Sequence, residues 1–244
     1  MGNTLFQMLR VEVGGEFDRN VSLENGSRVA GHMLFGPSSC GKTSLLFEYA
    51  FNCAEKGDYV LFIAPKPLMK LPLFVNERKQ PDAVVLKRIN MVYLANCDEL
   101  TDYFANVHLD KVRNSPTGRT RHVLIDDFHS YFREKGSRTE DTNRLAKCMA
   151  YIIDAAEFWS KRQSGQKSEC AVLVAETILG ESMSAEKLGL YQHWITDFIK
   201  IQKHGNSLFQ IQPIQHSKNF CNLSELTPHY EIDDNEIKVI NKME

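Results

Sequence analysis

Eight consecutive residues carry the clearest chemistry in the chain. Gly36, Pro37, Ser38, Ser39, Cys40, Gly41, Lys42 and Thr43 fit G-x-x-x-x-G-K-[ST] without a mismatch. Such a string wraps backbone N–H groups around phosphates, and a helix starting near Lys42 adds the positive end of its dipole. Lys42 is expected to reach the β- and γ-phosphates of a nucleotide, and the Thr43 hydroxyl to hold Mg2+. The usual complement is an apolar strand ending in an acid that supports the metal. "VLID", ending at Asp126, fits that description. The alternative for Asp126 is an ordinary solvated acid at a strand end. Its neighbour Asp127 is either an acid that orients attacking water or a solvated loop acid or helix cap.

The elements that must position these residues follow from periodicity. An apolar run at 30–36 predicts a buried strand entering the motif. Leu45, Leu46, Tyr49, Ala50 and Cys53 then recur at helical spacing, predicting a helix from Lys42 to Lys56 that Gly57 stops. Further strands are expected at 58–64, 88–95, 121–128 and 170–177. Helices are expected at 97–109 and from a Ser137/Glu140 capping box to about Arg162, its apolar stripe being core packing. Beyond Trp194 the pattern alternates around Gly205-Asn206 and again around an Asp-Asn turn, which predicts antiparallel hairpins. The expected architecture is one α/β domain with a mostly parallel sheet flanked by helices. Residues 1–28 form an N-terminal extension, 29–194 the P-loop core and 195–244 the C-terminal hairpins.

Composition bounds the function classes. With 244 residues, 43% of them hydrophobic and 25% charged, the chain has the make-up of a soluble globular domain rather than a disordered or membrane-spanning one. No signal peptide is legible, which predicts an intracellular protein. The Met-Gly start lacks the Ser or Thr at position six that myristoylation prefers, since Phe6 stands there. Six cysteines without a C-x-x-C pair read as free thiols in a reducing compartment. A formal net charge of −2 argues against indiscriminate nucleic-acid binding by the whole surface, so DNA contact would need a local patch. Basic residues cluster at 111–122, 133–138 and 160–167, and around Lys200, Lys203, His204, His216 and Lys218. Phe209 and Phe220 lie near the last group as candidate stacking platforms for unpaired bases. A charge run is usually a solvated face, and that is the bland reading of each cluster.

Several classes of P-loop protein are disfavoured. No N-K-x-D-like base reader marks a GTPase, no L-S-G-G-Q marks a transporter ATPase, and "REKGSR" is a weak lid for a small-molecule kinase. An ATPase core with an antiparallel C-terminal extension remains, which is the RecA-like layout.

Taken together, "GPSSCGKTSLLF", "VLFIAPKPLMKLP", "VLKRINMVYLANCDELTDYF", "LIDDFHSYF" and "AAEFWSKRQSGQKSECAVLVAET" resemble the small RecA-like recombinase-paralogue ATPase subunit of the animal Shu complex. The resemblance spans roughly residues 29 to 180. It implies a nuclear protein that pairs with a SWIM-type zinc-finger protein, binds single-stranded DNA and hydrolyses ATP weakly. It also implies support for a RecA-like recombinase and its paralogues during homologous-recombination repair. Two departures bear on mechanism. The loop that carries a catalytic glutamate in recombinases reads "IAPKPLMKLP", with Pro65, Lys66 and Pro67 and no acid before Glu77. The position of the γ-phosphate-sensing polar residue falls on Glu176, a carboxylate that phosphate would repel. A second function class therefore stays open, an interaction module in which ATP is structural glue. A metabolite kinase is a third.

Overall fold

In the computed structural model the described residues are 29–109, 120–132, 138–162, 170–180, 182–214 and 228–240. The first strand, β1 (Val29–Gly36), is buried almost throughout because it lies inside the sheet and carries apolar residues on both faces. It runs into α1 (Lys42–Glu55), then β2 (Tyr59–Ala64) and the two-residue β3 (Phe74–Val75). A single-turn helix α2 (Ala83–Leu86), β4 (Ile89–Tyr93), α3 (Cys97–Ala105) and β5 (Thr120–Ile125) follow. A 3-10 turn at Phe128–Phe132 leads towards the long α4 (Arg138–Arg162), β6 (Cys170–Thr177) and α5 (Ala185–Tyr191). The remaining strands are β7 (Asp197–Lys203), β8 (Leu208–Ile214), β9 (His229–Ile232) and β10 (Glu236–Ile240).

Among the described residues these strands form one ten-stranded sheet in the order β3-β10-β9-β8-β7-β1-β6-β5-β2-β4. From β4 to β7 every pairing is parallel. From β7 through β10 the pairings are antiparallel, and β10 meets β3 in parallel. The protein is thus α/β, with a mostly parallel centre flanked by helices and antiparallel strands towards the C-terminal end. The hairpins form where the alternation and the Gly205-Asn206 and Asp233–Asn235 turns place them. Ser137 and the expected capping box lie outside the described residues.

The pleat divides the core into two layers. Met33, Phe35, Val172 and Val174 face α3, α4 and Tyr191 of α5. Leu34, Leu173 and Ala175 face α1, together with Phe209, Tyr230 and Ile237 of the C-terminal strands. The β1 backbone is approached so closely that only glycine fits at Gly31, where an added Cβ would lie 2.3 Å from the Trp194 carbonyl oxygen.

One correction concerns Phe209. It is 4% exposed and stacks on Tyr230 at a centroid distance of 5.5 Å, so it is core and offers no platform to a base. Lys200, Lys203 and His204 do lie on β7 and just after it, with Lys203 and His204 exposed. His216, Lys218 and Phe220 lie outside the described residues, as do residues 110–119, 133–137 and 163–169, which carry most of the other basic clusters.

Candidate phosphate-binding site

The motif residues occupy the turn between β1 and α1, at the end of the sheet where the parallel strands finish. Ligands of open α/β sheets bind in this crevice. Gly41 is the residue before the helix, and its φ of 79° is in the left-handed region that glycine adopts without strain. No side chain caps α1, and no acid sits in its first turn. In α3, by contrast, Asn96 accepts from the Glu99 N–H at 2.9 Å, and Asp98 and Glu99 fill the first turn. The dipole end of α1 is therefore open to an anion, whereas that of α3 is already satisfied.

Lys42 is 7% exposed and folds back over the loop. Its ammonium donates to the carbonyls of Pro37 (2.5 Å) and Gly36 (3.3 Å) and lies 3.5 Å from Cys40 Sγ. Burial raises the Cys40 pKa, so its thiol stays protonated and supplies no counter-charge. A phosphate would offer this ammonium a charged acceptor in place of two neutral carbonyls.

The structure brings the next two predicted residues together across 83 positions of sequence. The Thr43 hydroxyl donates to Asp126 Oδ2 at 2.7 Å. Asp126 follows β5 directly, and its backbone N–H bonds Ile63 O on β2 at 2.9 Å. It is 6% exposed, and burial pushes its pKa up against the opposing hydrogen bond from Thr43. A hydroxyl beside a desolvated carboxylate is a hard-oxygen donor pair of the kind Mg2+ takes, and a bound cation would offset the burial of the charge. The residues present fit the metal.

Asp127 has a φ of 46°, a conformation that Asp tolerates better than most residues. Its Oδ1 lies 3.2 Å from His129 Nδ1 and 3.5 Å from the Thr177 hydroxyl, which donates to it. Its backbone carbonyl accepts from the Ser130 N–H and hydroxyl at 2.9 and 2.7 Å. The acid is thus held at the pocket wall, with part of its surface open to solvent.

The space enclosed by the loop, Asp126, Asp127, Thr177 and the segment after β2 measures about 500 Å3. It is within the range of small-molecule sites, roughly 300–1,000 Å3. Pro65, Lys66 and Pro67 line it from the side opposite the loop, and Ile232 reaches it from β9.

Two features correct the sequence expectation. Glu176 does not face the pocket. It is wholly buried on the opposite side of the sheet, where Lys187 Nζ lies 2.5 Å from its Oε1 and the Tyr191 hydroxyl donates to its Oε2 at 3.3 Å. Thr177, paired with Gly36 across β6 and β1, is the polar strand-end residue that lines the pocket. The signal was the pleat, since Thr177 shares the phase of Leu173 and Ala175 on the α1 side. The second feature is the C-terminal support. The Tyr230 hydroxyl donates to Cys40 O at 2.6 Å, and a Cβ added at Gly41 would sit 3.1 Å from Ile232 Cδ1 and Ile237 Cδ1. Nothing in the local motif indicates that β9 and β10 pack behind it.

Glu176 yields a pH prediction. Burial raises its pKa above the usual glutamate value, despite the opposing effects of Lys187, His129 and Tyr191. The folded state therefore holds this proton more tightly than the unfolded chain. Its contribution to stability is present below the unfolded value, about 4.3, and is lost as pH rises through the raised folded pKa. The stability of Glu176→Gln relative to the wild type should accordingly increase with pH across that window and then level off. Urea unfolding of both proteins at several pH values measures this, and a difference that falls with pH would refute the assignment.

Among the described residues no helix is long and apolar enough to cross a membrane. Among the described residues the cysteines are buried and form no disulfide. No known family model matches the chain, and no curated protein matches it.

Proposed function

We propose that the chain is a RecA-like P-loop subunit that binds ATP with Mg2+ at Gly36–Thr43, with Asp126 supporting the metal, and hydrolyses it slowly. The observation that carries the reading is the Thr43–Asp126 hydrogen bond of 2.7 Å, beside an open helix start and the folded-back Lys42. The RecA-like assignment is supported by the continuation of a parallel sheet into antiparallel C-terminal strands. The magnesium supplies charge neutralisation of the phosphates when bound. Lys42 and the loop N–H groups hold the phosphates, Thr43 and Asp126 hold the metal, and Asp127 is the acid nearest to orienting a water.

Following the resemblance, the subunit binds single-stranded DNA, pairs with a SWIM-type zinc-finger protein and supports recombinase filaments in the nucleus. Lys200, Lys203 and His204 are among the described basic residues on which a DNA contact would draw. One observation favours the second reading, in which ATP acts as glue in the complex. The segment after β2 presents Lys66 to the pocket and no carboxylate.

The test is co-purification with a SWIM-type zinc-finger partner, followed by ATP and single-strand binding with and without it. The expected result is a stable complex, magnesium-dependent ATP binding and salt-sensitive binding of single strands. Phosphoryl transfer to a metabolite without DNA binding would replace this reading with that of a kinase.

A further inference from the structure

The strongest unassigned feature of the pocket is a cation standing where sequence reasoning looks for an acid. Lys66 lines the cavity from the segment after β2, and it is exposed. It makes no hydrogen bond or ion pair with another described residue. Pro65 and Pro67 flank it, and their fixed φ angles narrow the conformations from which its side chain can reach.

Its position follows from the sheet order. The run β1-β6-β5-β2 places the phosphate loop at one side, Thr177 and Asp126 on the strands between, and Lys66 on the far side. Asp126 is tied to β2 through its N–H to Ile63 O, only three positions before Lys66. A polyphosphate held at its inner end by the loop extends past Thr43 and Asp126 towards this lysine. Lys42 and a cation at Thr43 and Asp126 neutralise the phosphates from the loop side, and the outer side of the last phosphate faces the segment after β2, where Lys66 is the positive charge lining the pocket.

We propose that Lys66 is the residue that makes the site selective for nucleoside triphosphates over diphosphates, by contacting the terminal phosphate. This inference rests on the nucleotide reading above and deepens it. A lysine here stabilises charge already present on the bound triphosphate and takes no proton from water, so it favours retention of the nucleotide over its turnover.

The test is equilibrium binding of ATP and ADP, each with magnesium, to the wild type and to Lys66→Ala, Lys66→Arg and Lys66→Glu. Lys66→Ala should weaken ATP about five- to tenfold and leave ADP nearly unchanged, as expected for one charge-assisted contact in a partly solvated setting. Lys66→Arg should keep the preference, and Lys66→Glu should abolish or reverse it. An ATP:ADP affinity ratio unchanged by Lys66→Ala in a wild type that binds ATP would overturn the role of Lys66 alone. A wild type that binds neither nucleotide would overturn the nucleotide reading together with it.

Discussion

Lys42→Ala should reduce ATP affinity by about 10- to 100-fold, the loss of a charge-assisted hydrogen bond worth roughly 1.5–3 kcal/mol. The substitution acts on both states of the site. In the structure the ammonium bonds the Pro37 and Gly36 carbonyls, so alanine leaves these groups without that donor as well as removing the cation from the phosphates. Lys42→Arg keeps the charge but replaces a compact ammonium with a planar fork, and it should recover only part of the affinity. Titration of a fluorescent ATP analogue measures both variants. Wild-type affinity in Lys42→Ala would remove the phosphate-binding reading. If hydrolysis disappears in the variants while complex formation and recombination persist, turnover is not the protein's function, and the glue reading gains.

The largest loss of stability is expected from Arg78→Met. Arg78 is buried between Glu48, Asn52 and Glu55 of α1 and lies over the Phe51 ring at 5.4 Å. Its guanidinium donates to Glu48, whose side chain is 1% exposed, and to Asn52 Oδ1 at 2.8 Å, and forms an ion pair with Glu55 Oε1 at 2.5 Å. Methionine keeps much of the volume and removes the charge, leaving the Glu48 carboxylate buried without its cation. Breaking a buried pair in this way costs about 3–5 kcal/mol, which corresponds to a fall of roughly 6–20 °C in Tm for a chain of this size. Arg78→Met combined with Glu48→Met should regain much of the loss, because it removes both charges at once. Thermal unfolding of the wild type and the two variants decides the matter, and a single variant within 1 kcal/mol of wild type would show that the pair carries little. The same residues fasten α1, so loosening them should also disturb Lys42 and Thr43 at its start.

What was legible in the sequence was legible for local reasons. The strands β1, β2 and β6 are buried along most of their length and read as largely apolar runs, β5 contributes the apolar Val123–Ile125, and α1 shows helical periodicity with Gly57 behind it. The hairpins carried their own turn residues. What was missed is set by distant partners. The strand β3 is two residues long and exists because β10 pairs with it. Choosing between Glu176 and Thr177 required the phase of the pleat at the end of β6, where one residue of slip exchanges the two faces. Phe209 alternates like an exposed aromatic until Tyr230 is seen stacked on it from another strand. Arg78 lies in a polar stretch with nothing local to mark it as buried, because its carboxylate partners Glu48 and Glu55 stand on α1, 30 and 23 positions earlier.

The Tyr230–Cys40 hydrogen bond spans 190 positions of sequence. A ribosome that has just released the phosphate loop has made the motif without the wall behind it. β1 cannot be sandwiched until β6 and β7 exist, and Gly41 meets Ile232 and Ile237 later still. A sheet assembled from such distant pairings is slow to close, and its apolar strands stay exposed to other chains in the meantime. A nucleotide that bound only the finished loop would then draw the late-folding strands into place by mass action. Dependence of the protein's cellular abundance on nucleotide binding would follow, even where turnover does nothing.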